Sequence, residues 1–132
     1  MLSLSIVTGT YQRLASLQRM VASARAQIPP GIGYEFVLVG VDGDLPTAQW
    51  AMQQKDVTWL PQPGLLGAIR AFCDGAKAAR GEYVLMGNDD ITFGPDSLVR
   101  ALVHLETHPT AGAVAFADNR PAPGYDDRLK VQ

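Results

Sequence analysis

Cysteine is nearly missing from this chain: Cys73 is the single one among 132 residues. An intrachain disulfide is therefore excluded, and so is a zinc site built from several cysteines. A lone thiol suits a reducing compartment. Cys73 falls in an Ala-rich helical stretch and is expected as a small core residue. Long apolar runs are also absent: none reaches the ~18 residues that would suggest a membrane span. The first residues lack the charged segment of a signal peptide, so a soluble cytoplasmic protein is the expectation. Basic runs are wanting too, since 11 Lys and Arg stand against 13 Asp and Glu for a net charge of −2. That balance argues against tracking a nucleic-acid backbone. An anionic ligand would need a local device, such as a cation or a helix N-terminus. Three motifs are missing as well. No Gly-x-Gly-x-x-Gly follows the first strand, no Gly-x-x-x-x-Gly-Lys-Ser/Thr occurs, and there is no Ser or Cys nucleophile elbow. Nicotinamide-type Rossmann enzymes and P-loop ATPases are thereby set aside.

What is present is a globular composition, 47% hydrophobic and 18% charged, sufficient for one domain with a single core. Leu2 to Val7 is short, apolar and strand-like. From Tyr11 to Gln27 the spacing becomes helical, with Leu14, Leu17, Val21 and Ala24 on one face, and Pro29-Pro30-Gly31 ends it. Tyr34 to Val41 is a second strand whose apolar run is nearly unbroken, as in strands buried on both faces of a parallel sheet. A short helix over Pro46–Gln54 and a brief strand over Val57–Leu60 follow, then a stiff Pro61-Gln62-Pro63-Gly64 loop. A helix over Leu65–Ala79, a strand over Glu82–Met86, a helix over Pro95–Glu106 and a fifth strand over Ala113–Ala117 complete the pattern. Pro95 suits a first helical turn. The alternation predicts an α/β fold: three layers, α/β/α, with a mostly parallel sheet. Residues 1–117 form the predicted domain, and residues 118–132 a polar tail or loop.

The chemistry is concentrated at strand ends, where open α/β sheets bind ligands. Gly81 to Asp90 reads as an apolar strand that runs into Asn88-Asp89-Asp90. Adjacent carboxylates there are costly to leave unpaired, and they suit a hard divalent ion that bridges to a diphosphate. Thr8 to Tyr11 and Asp42 to Asp44 end the first and second strands on the same edge. Tyr11 is placed to stack on a base, and Asp42 to accept a base N–H. Each also has a plainer reading: a helix anchor for Tyr11, a turn for Asp42-Gly43, and backbone satisfaction for Asp90. His104 and His108 stand four apart, but His104 is not followed by Glu and the pair sits at a helix end, where cations suit the helix dipole. Arg13, Arg19 and Arg25 are expected to be solvated, with Arg13 near enough to Tyr11 to touch a ligand.

These segments resemble the nucleotide-sugar-binding half of family 2 glycosyltransferases of the GT-A fold, a Rossmann-like nucleotide-diphospho-sugar transferase architecture. Ser5 to Arg13 is similar to the family's opening strand and its Thr-Tyr-Asn-Arg, with Gln12 in place of Asn. Val39 to Asp44 is similar to its Asp-Asp-Gly-Ser strand end, with Val41 for the first Asp and Asp44 for Ser. Gly67, Ala71 and Gly75 are spaced as in its Gly-rich helix, with Phe72 and Cys73 where Arg and Asn are common. Gly81-Glu82-Tyr83 and Asn88-Asp89-Asp90 match its Gly-Glu-Tyr strand and DXD-type motif, with Asn88 for the first Asp.

The resemblance implies that Thr10 and Tyr11 line the base pocket and that Asp42 contacts the base. Asp89 would reach the ribose or the metal's water shell, and Asp90 would ligate Mn²⁺ or Mg²⁺. The donor would be a UDP- or GDP-linked sugar, transferred to an acceptor hydroxyl, usually with inversion. The family's catalytic base comes from a later segment. Asp126 and Asp127 are late acids that lie in the Pro/Gly-rich tail, and the base is unassigned. Two functions therefore stand: a metal-dependent glycosyltransferase, or a truncated or non-catalytic GT-A-like nucleotide-binding or assembly domain. An exposed fifth strand would gain from pairing, which leaves a homo-oligomer open. The acceptor is not identified.

Overall fold

Four parallel strands alternate with four helices in the computed structural model, which describes residues 3–116. The elements are β1 (Leu4–Gly9), α1 (Leu14–Gln27), β2 (Tyr34–Val41), α2 (Leu45–Met52), β3 (Val57–Gln62), α3 (Ala68–Ala78), β4 (Tyr83–Met86) and α4 (Ser97–Thr107). Every ladder is parallel and the strand order is β3-β2-β1-β4. The chain thus moves outward from β1 through β2 to β3, then crosses back to place β4 on the other side of β1. That reversal is the switch point at which doubly wound sheets leave a crevice.

The two faces of the sheet are covered differently. Leu4, Ile6, Phe36 and Leu38 point to a core shared with Leu17, Met20, Val21 and Ala24 of α1, Ala51 of α2 and Leu98 of α4. Leu17 and Val21 are fully buried, each stabilising the fold by roughly 1.5–3 kcal/mol. On the opposite face, among the described residues, α3 packs on β1 and β2. It lies very close, because a Cβ on Gly75 would strike Val7 Cγ1. The expected three-layer arrangement with a mostly parallel sheet is therefore present, every ladder among the described residues being parallel, and the nearly unbroken apolar run of β2 has the central position it implied.

A buried polar cluster ties the start of the sheet together. Ser5 Oγ donates to Glu35 Oε1 at 2.7 Å, the Arg80 backbone N–H donates to the same oxygen at 2.7 Å, and the Arg80 guanidinium reaches Oε2 at 3.0 Å. Burial alone would push the Glu35 carboxyl up, but the hydrogen bonds from Ser5 and Arg80 outweigh it and hold it below the usual carboxylate range. Gly81 N–H donates to Ser5 Oγ, joining the approach to β4 to β1.

Several expectations are corrected. The fifth strand over Ala113–Ala117 does not form: residues 113–116 are irregular, and Ala117 lies outside the described residues. Phe116 instead packs edge-on against Phe93, with ring centroids 6.0 Å apart. Pro61 and Gln62 belong to β3 rather than to a loop; proline is tolerated there because β3 is an edge strand. Three helices start later than their patterns suggested, α1 at Leu14, α3 at Ala68 and α4 at Ser97. The residue one or two positions before each has positive φ: Gln12 at 52°, Gly67 at 90° and Asp96 at 59°. Pro95 accordingly sits before α4 and not in its first turn. Cys73 is exposed, not a core residue, since Ala71 and Gly75 are the residues that α3 turns to the sheet. Arg25 is not solvated: it pairs with Asp56 at 2.6 Å and its guanidinium stands 5.7 Å from the Phe36 ring centroid.

Candidate functional site

The carboxyl ends of β1, β2 and β4 and the first turn of α3 enclose a cavity of about 470 Å³. β1 supplies Gly9 to Tyr11 and then Arg13, β2 supplies Val39 to Val41, and β4 leads into Asn88, Asp89 and Asp90. Gly67, Ala68, Ala71 and Phe72 form the α3 wall. A helix N-terminus on one wall favours an anion, and it lies in the same cavity as two carboxylates that favour a cation.

The acid pair is held in a defined way. Asp89 is only 5% exposed. Its Oδ2 accepts from Thr10 Oγ1 at 3.0 Å, and its Oδ1 faces Arg13 Nη1 at 3.2 Å. Asp90 is half-exposed at the cavity mouth, and its Oδ2 accepts from Arg13 Nη2 at 3.2 Å. One guanidinium therefore spans both carboxylates, using a different nitrogen for each.

The loop that carries Thr10 and Arg13 is fixed from below. Gln12 adopts the left-handed region, and its backbone N–H donates to Asp44 Oδ2 at 2.8 Å. Asp44 is itself buried, and its own N–H closes a turn onto Val41 O. A side chain other than glycine at positive φ is costly and persists only where the surroundings impose it. Asn tolerates that conformation well, which gives a physical reason for the Asn in the motif that Gln12 replaces.

Four of the five residues singled out from sequence meet in this cavity: Thr10, Tyr11, Asp89 and Asp90. Asp42 does not line it. Asp42 lies exposed just beyond β2, with its N–H bonded to Gln62 O, beside Val41, which does reach the cavity. Sequence reasoning missed Asp44 as the clamp on Gln12, and it took Arg13 as a solvated cation near the ligand rather than as the partner of both acids. His104 and His108 stack face to face at 4.1 Å, and His108 Nδ1 lies 3.0 Å from His104 O. That geometry suits a closed helix end. Among the described residues no group of three or more His, Cys, Asp or Glu is arranged to hold a metal ion. Two carboxylates nevertheless suffice for a hard divalent ion whose remaining positions are filled by water and a diphosphate, and the half-exposed Asp90 beside a fixed Asp89 fits that requirement. Asp126 and Asp127 lie outside the described residues. No helix among the described residues is long and apolar enough to cross a membrane.

Comparison with known proteins gives a consistent result. The family model described as glycosyl transferase family 2 matches residues 5–131. No curated protein matches significantly. Among solved structures, the chain is similar to the mannosyltransferase PcManGT from Pyrobaculum calidifontis in complex with GDP-Man and Mn²⁺. Identity is 21%, the TM-score is 0.73, and the match covers 88% of this chain and 35% of that one. S. aureus TarS 1-349 is similar at 20% identity and a TM-score of 0.69, over 82% of this chain and 33% of that one. At such identities the likeness is one of fold. The chain spans about a third of the length of these two structures.

Proposed function

The chain belongs to glycosyl transferase family 2, and from that premise we propose that its cavity binds a nucleoside-diphosphate sugar together with Mn²⁺ or Mg²⁺ for transfer of the sugar to an acceptor hydroxyl. The observation that carries this reading is the convergence of Thr10, Tyr11, Asp89 and Asp90 on one cavity at the switch point of the sheet. A structure of the same fold holds GDP-Man and Mn²⁺, which supports the donor class.

In this reading Tyr11 offers a ring face to the base, and Asp42, exposed next to the cavity-lining Val41 but outside the lining itself, accepts from a base N–H. The first turn of α3 directs its free N–H groups at the diphosphate. Asp90 holds the cation, and Asp89, anchored by Thr10, orients the cation's waters or the ribose. When bound, the cation offsets negative charge on the departing diphosphate. The expected stereochemical course is inversion, with a base from outside the described residues. Residues 1–117 would constitute the donor-binding domain and residues 118–132 a tail or loop.

A second reading has one specific observation behind it. Asp89 and Asp90 are the only carboxylates among the described residues that line the cavity; Asp90 is assigned to the cation and Asp89 to its water shell or the ribose, which leaves none as a base. A domain that binds the donor without completing transfer fits that count.

Calorimetry of UDP and GDP on the purified chain, with and without Mn²⁺, tests the donor site. Metal-dependent binding of either nucleotide, lost in Asp90→Ala while the far-UV spectrum is kept, is the expected result. Binding by Asp90→Ala equal to that of the wild type would remove Asp90 from the site. Sugar transfer by the pure chain, again lost in Asp90→Ala, would decide for the enzyme over the binding domain.

A further inference from the structure

Arg13 is the one cavity-lining residue whose charge is already paired with both acids of the proposed cation site, Asp90 as its holder and Asp89 beside it. Its two terminal nitrogens lie 3.2 Å from Asp89 Oδ1 and 3.2 Å from Asp90 Oδ2. This placement is built. Arg13 is the N-cap of α1, and the preceding residues are clamped twice: Thr10 to Asp89, and the left-handed Gln12 to the buried Asp44. A flexible loop would leave the guanidinium free to sample solvent. Here the backbone delivers it to the acid pair.

We propose that Arg13 is an internal counter-ion that competes with the divalent cation for Asp89 and Asp90, and that nucleoside diphosphate relieves the competition by taking over the guanidinium. The inference rests on the reading of the cavity as a cation–diphosphate site. The physical argument is one of charge. Two adjacent carboxylates, one of them buried, are unfavourable without a cation, and Arg13 supplies it when no metal is bound. A divalent ion arriving alone must displace a guanidinium that then has no partner. A divalent ion arriving with a diphosphate does not, because a guanidinium pairs well with phosphate oxygens. The half-exposed Arg13 side chain (50%) is free to make that move, and its ion pairs are correspondingly weak and displaceable. Metal and nucleotide binding are therefore coupled through Arg13: each ligand is weak alone and tighter with the other.

The test reads metal binding and not turnover. Free Mn²⁺ is measured by its paramagnetic resonance signal during titration of the wild-type chain, Arg13→Gln and Arg13→Lys, each without nucleotide and each with saturating GDP or UDP, whichever binds the wild type. In the absence of nucleotide, Arg13→Gln is expected to bind Mn²⁺ about three- to tenfold more tightly than the wild type. The enhancement of Mn²⁺ affinity by nucleotide should shrink in the same variant. Arg13→Lys keeps the charge but not the fork that spans two carboxylates, and should fall between the two. Mn²⁺ affinity in Arg13→Gln that is unchanged, weaker or undetectable without nucleotide would overturn the proposal. So would Arg13→Lys identical to the wild type, which would reduce the effect to distant charge. Failure of the wild-type chain to bind nucleotide with metal would instead count against the cavity assignment itself, so the two failures are separable.

Discussion

Thr10 Oγ1 donates to Asp89 Oδ2 at 3.0 Å, joining the loop after β1 to the loop after β4 across 79 positions of sequence. The bond ties the two loops together at the switch point and leaves Asp89 Oδ1 for Arg13. Thr10→Val preserves the shape of the side chain and removes the donor. Asp89 would then keep a lone pair buried without its partner, a cost of about 1–3 kcal/mol, relieved only if the carboxylate turns. The variant is expected to fold and to lose about tenfold in Mn²⁺-dependent nucleotide affinity, read by calorimetry. Thr10→Ser, which keeps the hydroxyl, should bind within a factor of about two of the wild type.

Tyr11 is partly exposed at the cavity wall, and the structure gives its ring no stacking partner among the described residues. A base that stacks on it would cover that ring. Stacking of a base on an aromatic side chain contributes about 1–3 kcal/mol, so Tyr11→Ala should weaken nucleotide binding roughly tenfold or more, while Tyr11→Phe should leave it nearly unchanged. A calorimetric series over the two variants separates ring from hydroxyl: equal loss in both would assign the effect to the phenol and refute stacking.

Glu35 makes the stability of the sheet depend on acid. Burial raises its carboxyl pKa, but the bonds from Ser5 and Arg80 prevail and lower it from the ordinary value of 4.5. A folded-state pKa below the unfolded one adds stability that is complete above pH 4.5 and is lost as pH falls through the folded value. Glu35→Gln should therefore be less stable than the wild type at pH 7, by about 2 kcal/mol for loss of the charge-assisted bonds. The deficit should narrow steadily below pH 4.5. Urea melts of both chains between pH 7 and pH 3 measure it, and a deficit independent of pH would show that the charge of Glu35 is not what stabilises the cluster.

Much of this architecture was legible in the sequence because it depends on short-range pattern. The apolar run of β2 has no polar face to offer solvent, and so had to lie inside a parallel sheet. The Gly81 to Asp90 segment carries its strand and its acids in one stretch, and Asp89 and Asp90 are where that order puts them. What was not legible depends on backbone choices of single residues. Gln12, Gly67 and Asp96 take positive φ, and each delays a helix whose side-chain period begins earlier. Asp42 and Asp44 are two positions apart in one turn, and side-chain type does not say which is folded inward. The bond from Asp44 N–H to Val41 O decides it, burying Asp44 and leaving Asp42 in solvent. Arg13 and Arg25 look alike in the sequence, yet each finds its acids through contacts more than 30 residues distant.

Gly75 links the fold to the cavity wall. Its missing side chain lets α3 lie against Val7 and Val39: a Cβ would collide with Val7 Cγ1 and come within 3.2 Å of Val39 Cγ2. Two effects oppose each other in Gly75→Ala. Alanine is the better helix former by roughly 1 kcal/mol, while overpacking of a filled interface costs about 1–3 kcal/mol. Both obstructing atoms belong to β-branched side chains of the buried sheet, which have little freedom to turn away, so the steric cost should win and the net loss be about 1 kcal/mol. Relief of the clash by lifting α3 would also shift Ala68, Ala71 and Phe72, which stand on the same helix and form the cavity wall, so nucleotide affinity should fall along with stability. A double-mutant cycle with Val7→Ala isolates the contact. Removing the Val7 methyl groups costs stability by itself, but in the Gly75→Ala background it should cost less, and nucleotide binding should partly recover. Strict additivity of the two substitutions would mean that α3 is held at its distance by something other than this contact.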